Sequence, residues 1–164
     1  MKNFKGFSLL EMLIYLAILL ILLVVIINVV TSVVASEKVV SSVRHIQNAA
    51  TLSLERIGRE VRQAENIDSS SVIGSHPGRL VLVGHDEDGL ARTVEFYWSG
   101  GQVYLRENGL EIGPLTQSNA NVTTLVFRRF SGTNSSGIRT EMTIESGTST
   151  NYRVEKFYST TIFR

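Results

Sequence analysis

The sequence predicts an α+β chain, with one long N-terminal helix packed on an antiparallel β-sheet. Three observations predict it. An unbroken apolar run opens the chain, a stripe of apolar residues at helical spacing follows, and short β-type runs divided by Gly-rich turns fill the remainder.

The first element is residues 7–30. From Phe7 to Val30 the only strongly polar residues are Ser8, Glu11 and Asn28. Twenty-four residues of helix at about 1.5 Å each span about 36 Å, enough to cross a hydrocarbon core of about 30 Å. Lys2 and Lys5 precede the run, and the first charges behind it, Glu37 and Lys38, cancel. The positive-inside rule then puts the N-terminus in the cytoplasm and the rest of the chain outside. A secretory signal peptide would have a shorter apolar region, about 7–15 residues, with a small-residue cleavage site behind it. Val33-Val34-Ala35 could supply such a site, but the run is too long. A buried soluble helix does not suit an apolar surface of this length. A plain single-pass anchor remains the simplest rival. It leaves Glu11 unexplained, since a carboxylate at helix-centre depth costs about 3 kcal/mol on insertion scales.

The second element is an amphipathic stalk over residues 31–64. Apolar residues recur at Val39, Val43, Ile46, Ala50, Leu54, Ile57, Val61 and Ala64, the spacing of one helical face. Arg44, Glu55, Arg56, Arg59, Glu60 and Arg62 fill other positions, where charges ordinarily mark a solvated face. Glu55 and Arg59 are spaced for a favourable pair four residues apart. No proline interrupts residues 7–76, so one continuous helix is expected from Phe7 to Ala64. Gly58 costs about 1 kcal/mol relative to alanine inside such a helix, and so marks a close contact or a weak point. The apolar stripe is expected to pack on the sheet.

The third element is a β-rich distal domain, residues 65–164. A Ser/Gly/Asn-rich exit ends at His76-Pro77-Gly78. Expected strands are Arg79–Val83, Thr93–Trp98, Gln102–Arg106, Thr123–Phe130, Ile138–Ile144 and Tyr152–Phe163. Asp88-Gly89, Gly100-Gly101 and Asn108-Gly109 are strong hairpin turns.

Little in the chain suggests chemistry. Sixteen basic residues stand against 15 acidic ones, which gives no general affinity for nucleic acid. Arg128, Arg129 and Arg139 near Phe130 support a nucleic-acid surface only weakly. There are no cysteines, so a disulfide framework and a Cys-ligated metal site are excluded. His45, His76 and His85 are scattered without ligand spacing. Asp86-Glu87-Asp88-Gly89 is similar to the start of a calcium loop. Tyr97, however, stands where an EF-hand loop needs its closing glutamate, and a solvated turn is the better reading. No phosphate-binding Gly loop and no nucleophile order is found. The expectation is no enzyme, no cofactor and no metal.

The run Lys5-Gly6-Phe7-Ser8-Leu9-Leu10-Glu11 resembles the processing signature of type IV prepilins and type II secretion pseudopilins. The resemblance implies that a prepilin peptidase cuts after Gly6, removing leader residues 1–6, and methylates the new N-terminus at Phe7. It implies that Glu11 sets assembly register by pairing with the N-terminal amine of a neighbouring subunit. Two unit charges about 4 Å apart attract by about 4 kcal/mol at an effective dielectric of 20, so the pair makes the membrane carboxylate tolerable. The implied partners are the peptidase, other major and minor pilins or pseudopilins, and the inner membrane before assembly. The implied destination is an extracytoplasmic filament.

Leu54–Ala64, with Glu60, Arg62, Gln63 and Ala64, is similar to the end of the stalk helix in PilW-type minor pilins and J-type pseudopilins. Val94–Trp98, Gly101–Arg106, Pro114–Thr116 and Leu125–Phe127 resemble the sheet of the same group. That group implies a place at the filament tip. Many major pilins carry a proline within the membrane segment, where this chain has Asn28, and many close a C-terminal loop with a disulfide. The first departure fits a minor subunit better. The rivals are a major shaft subunit, which would be far more abundant, and a membrane-anchored binding domain that never polymerises. The second would keep residues 1–6 and tolerate Glu11→Ala. Pilus, secretion and competence machines stay open.

Overall fold

Helix α1 runs without interruption over Leu9–Gln63 in the computed structural model, which describes residues 8–86, 88–132 and 135–163. Phe7, the expected first residue of the helix, lies outside the described residues. At the other end the Ala64 N–H still bonds to the Glu60 carbonyl at 2.9 Å, so the last turn closes where the stripe ends. The chain forms two compact units, one ending at Lys38 and the other beginning at Val39.

The first unit is the apolar helix alone. From residue 8 to residue 38 every side chain is exposed except Glu11, which is partly covered. The helix is long and apolar enough to cross a membrane by length and composition. A surface that is hydrophobic all round calls for lipid or other helices around it. Two of its hydroxyls bond back to the helix: Thr31 Oγ1 donates to the Ile27 and Asn28 carbonyls, both at 3.0 Å, and Ser36 Oγ donates to the Ser32 carbonyl at 3.0 Å.

In the second unit the rest of α1 packs on two antiparallel sheets rather than one. The first has the order β1–β5, from Asn66–Ile67, Arg79–His85, Ala91–Ser99, Gln102–Glu107 and Leu110–Pro114. The second comprises β6 (Asn121–Ser131), β7 (Ser136–Ser146) and β8 (Arg153–Ile162). All six strands expected from sequence form, and β1 and β5 are additional. β5 follows Asn108-Gly109, whose φ values of 49° and 80° give the positive-φ pair of a two-residue hairpin turn. Alternate residues of both sheets meet α1 in one core. Phe96 and Val103 come from the first sheet, Phe127 and Ile144 from the second, and Ile46, Ile57 and Val61 from the helix. The sheets are also stitched directly. Trp98 Nε1 donates to the Val122 carbonyl at 2.6 Å, and the Gly78 N–H donates to the Leu125 carbonyl at 2.9 Å.

The helix face that packs is not quite the expected apolar stripe. Ile46, Ala50, Ile57, Val61 and Ala64 are buried, while Val39, Val43 and Leu54 are only half-buried. Ser42, Ala49, Ser53, Gly58 and Glu60 are buried beside them. Small residues there let the sheet approach the helix backbone. Glu60 corrects the solvated-face expectation. It is 4% exposed and bonds Arg56 and Arg92, each at 2.9 Å. The pair four residues apart is Arg56–Glu60, while Glu55 and Arg59 are both exposed.

Gly58 marks a close contact. A methyl group at its Cα would stand 3.2 Å from Thr161 Oγ1 in β8. Gly58→Ala alone should therefore be near neutral, the gain in helix propensity being offset by the contact. In a Thr161→Ala chain the same substitution should stabilise by about 1 kcal/mol. Denaturant midpoints of the four chains of this cycle measure the difference, and equal effects in both backgrounds would refute the contact.

Candidate functional site

Among the described residues, the helix start is where the motif residues share a constellation. Ser8 stands at the N-cap. Its carbonyl accepts the Met12 N–H at 3.2 Å, and its Oγ accepts the Glu11 N–H at 3.2 Å. A serine at the cap with glutamate three residues on is the capping-box pattern, which satisfies amides that a helix start otherwise leaves unpaired. In this chain the Glu11 carboxylate is engaged further along the helix instead. Tyr15 Oη donates to Glu11 Oε1 at 2.9 Å. The bond follows from helix geometry: residues four apart lie on one face, and long side chains lean toward the N-terminus. Tyr15 carries no motif signal of its own, and only its spacing from Glu11 marks it in the sequence. Gly6 and Phe7, the expected cleavage and methylation positions, lie outside the described residues.

Residues 1–27 match a protein family described as the prokaryotic N-terminal methylation motif. The chain therefore carries a prokaryotic N-terminal methylation motif at its start. The match supports a type IV pilin-like subunit, a structural part rather than an enzyme, processed by a prepilin peptidase and assembled with other pilins. With the apolar helix it supports anchoring in the inner membrane. No curated protein and no solved structure matches the chain.

The remaining sequence candidates are not brought together. His45 bonds Ser41 and Asn119, His76 Nδ1 accepts the Leu125 N–H, and His85 pairs with Glu65 at 2.7 Å. Each has its own partners in a different part of the domain. Asp86 Oδ1 accepts the backbone N–H groups of Asp88 and Leu90 at 3.0 and 2.8 Å, the arrangement of a turn. Glu87 of the calcium-like run lies outside the described residues. Arg128 and Arg139 share the carboxylate of Glu141 at 3.0 and 3.3 Å, and Arg139 also covers the Tyr158 ring. Much of the charge of that basic cluster is thereby neutralised.

Proposed function

We propose that this chain is a minor pilin or minor pseudopilin, cut after Gly6, methylated on Phe7 and assembled through its N-terminal helix into a type IV pilus or type II secretion-like filament. In this reading residues 1–6 are the leader and residues 7–30 wait in the inner membrane with the N-terminus in the cytoplasm. Residues 31–64 form the stalk, and residues 65–164 form the exposed domain. The observation that carries it is one carboxylate, Glu11, in the first turn of a membrane-length apolar helix, behind a basic leader that ends in glycine. Heterologous contacts between like subunits build open helical assemblies, as a filament needs. An uninterrupted helix through Asn28 supports a minor subunit over a shaft subunit. The likeness of the stalk end and sheet to PilW- and J-type subunits supports a place at the tip.

The intact mass and N-terminal residue of the protein, made in cells with and without a prepilin peptidase, test the reading. Loss of Met1–Gly6 and one added methyl group on Phe7, only with the peptidase, is the expected result. An uncut chain, or a cut near Ala35, would overturn it.

A further inference from the structure

We infer that Tyr15 is a positioning residue for Glu11: its hydroxyl holds one oxygen of the carboxylate in the waiting subunit and leaves the other for a neighbour's N-terminal amine. The inference rests on the proposed role of Glu11 in assembly and adds a residue and a stage to it.

A subunit in the bilayer before assembly has no neighbouring amine, yet its carboxylate is already there. Polar groups in that setting need partners within the protein, because the hydrocarbon offers none. Ser8 serves the backbone of Glu11 and not its carboxylate. Tyr15 serves the carboxylate itself, at 2.9 Å on Oε1. Among the described residues Oε2 accepts no hydrogen bond. Glu11 is also the one residue between positions 8 and 38 that is not exposed, as a side chain held against its own helix should be.

The chemistry suits both stages. An ionised carboxylate can accept about four hydrogen bonds, so a phenol on Oε1 leaves room for an ammonium group on Oε2. A phenol is neutral and donates without a counter-charge, so it lowers the cost of the carboxylate while leaving its charge for the neighbour. Fixing one oxygen also removes rotamer freedom that the incoming amine would otherwise have to restrict. An aromatic residue near a membrane interface needs no special role, but an interfacial tyrosine has no reason to depend on Glu11.

Full-length chain carrying carbon-13 carboxyl-labelled glutamate, in phosphatidylethanolamine–phosphatidylglycerol vesicles, gives the direct test by infrared spectroscopy. Subtracting the spectrum of the Glu11→Gln chain isolates the Glu11 band. Tyr15→Phe, which removes one oxygen and keeps the ring, should shift that band, and an unshifted band overturns the inference. In cells the same variant should enter filaments about threefold less well, the scale measured for side-chain hydrogen bonds in membranes. Undiminished incorporation despite a shifted band would overturn the positioning role. Normal incorporation of Glu11→Ala would instead refute the assembly role of Glu11, whichever way the Tyr15→Phe band moves.

Discussion

Glu11→Ala should leave the subunit cut after Gly6 and held in the membrane, but reduce its share of filaments by at least about thirtyfold. An ion pair with a neighbour's amine at about 4 Å is worth about 4 kcal/mol at an effective dielectric of 20. Each 1.4 kcal/mol is a factor of ten, so even half of that attraction gives about thirtyfold. Faulty anchoring cannot explain such a defect. Removing a carboxylate makes insertion easier, not harder. Glu11→Gln separates charge from shape, because it keeps an oxygen for the Tyr15 hydroxyl and loses the charge. If the amine pair carries assembly, the glutamine chain should fail nearly as badly as the alanine chain. The ratio of sheared filament to membrane fraction, by quantitative mass spectrometry, gives the answer. A wild-type ratio for Glu11→Ala would return the chain to the class of anchored domains that do not polymerise.

The local patterns were legible in the sequence and the long-range polar pairings were not. An all-apolar run of membrane length, a stripe with helical spacing and hairpin turns such as Asn108-Gly109 are signals carried by neighbouring residues. They led to the helix and to six strands. β5 was harder to see: Leu110-Glu111-Ile112-Gly113-Pro114 holds a glycine and a proline and is exposed on most of its length, so neither propensity nor alternation marks it. The division into two sheets depends on contacts such as Trp98 to Val122, which no local pattern encodes. Buried charge was missed for the same reason. Glu95 lies between Arg79 and Arg106, at 2.7 and 3.1 Å, on strands that the sequence places well apart. At the helix start the motif gave Glu11 at once. Tyr15 stayed silent because a tyrosine in an apolar run reads as one more hydrophobic residue until its hydroxyl is placed.

Glu60→Ala should be the most damaging single change of charge in the distal unit, lowering its stability by about 3 kcal/mol. Glu60 is buried where α1 meets the first sheet, and it receives Arg92 of β3 in a two-pronged contact, at 2.9 and 3.3 Å, as well as Arg56 of its own helix. Arg92 in turn bonds Glu107 of β4 at 2.5 Å, so one chain of charges ties the helix to two strands. The guanidinium of Arg92 is raised above its ordinary pKa, first by the bond to Glu107 and then, against the effect of burial, by Glu60. It stays charged at any pH the protein meets. Removing Glu60 therefore leaves two guanidinium groups facing a gap, and Arg92 cannot escape by losing its proton. The expected loss sits at the low end for breaking a buried pair because Arg92 keeps Glu107 and is 20% exposed, while Arg56 is 31% exposed. Arg92→Ala should cost less, since Glu60 keeps Arg56. Glu60→Met with Arg92→Leu should recover most of the loss, because an apolar pair of similar volume often replaces a buried ion pair without penalty. The single tryptophan, Trp98, bonds across the two sheets and reports unfolding of this unit by fluorescence in detergent-solubilised full-length chain. For a domain of this size the loss corresponds to a fall in melting temperature of about 10 °C. A shift of only a degree or two would mean that water already screens the pair, and that the apolar contacts of Ile57 and Val61 alone hold helix to sheet.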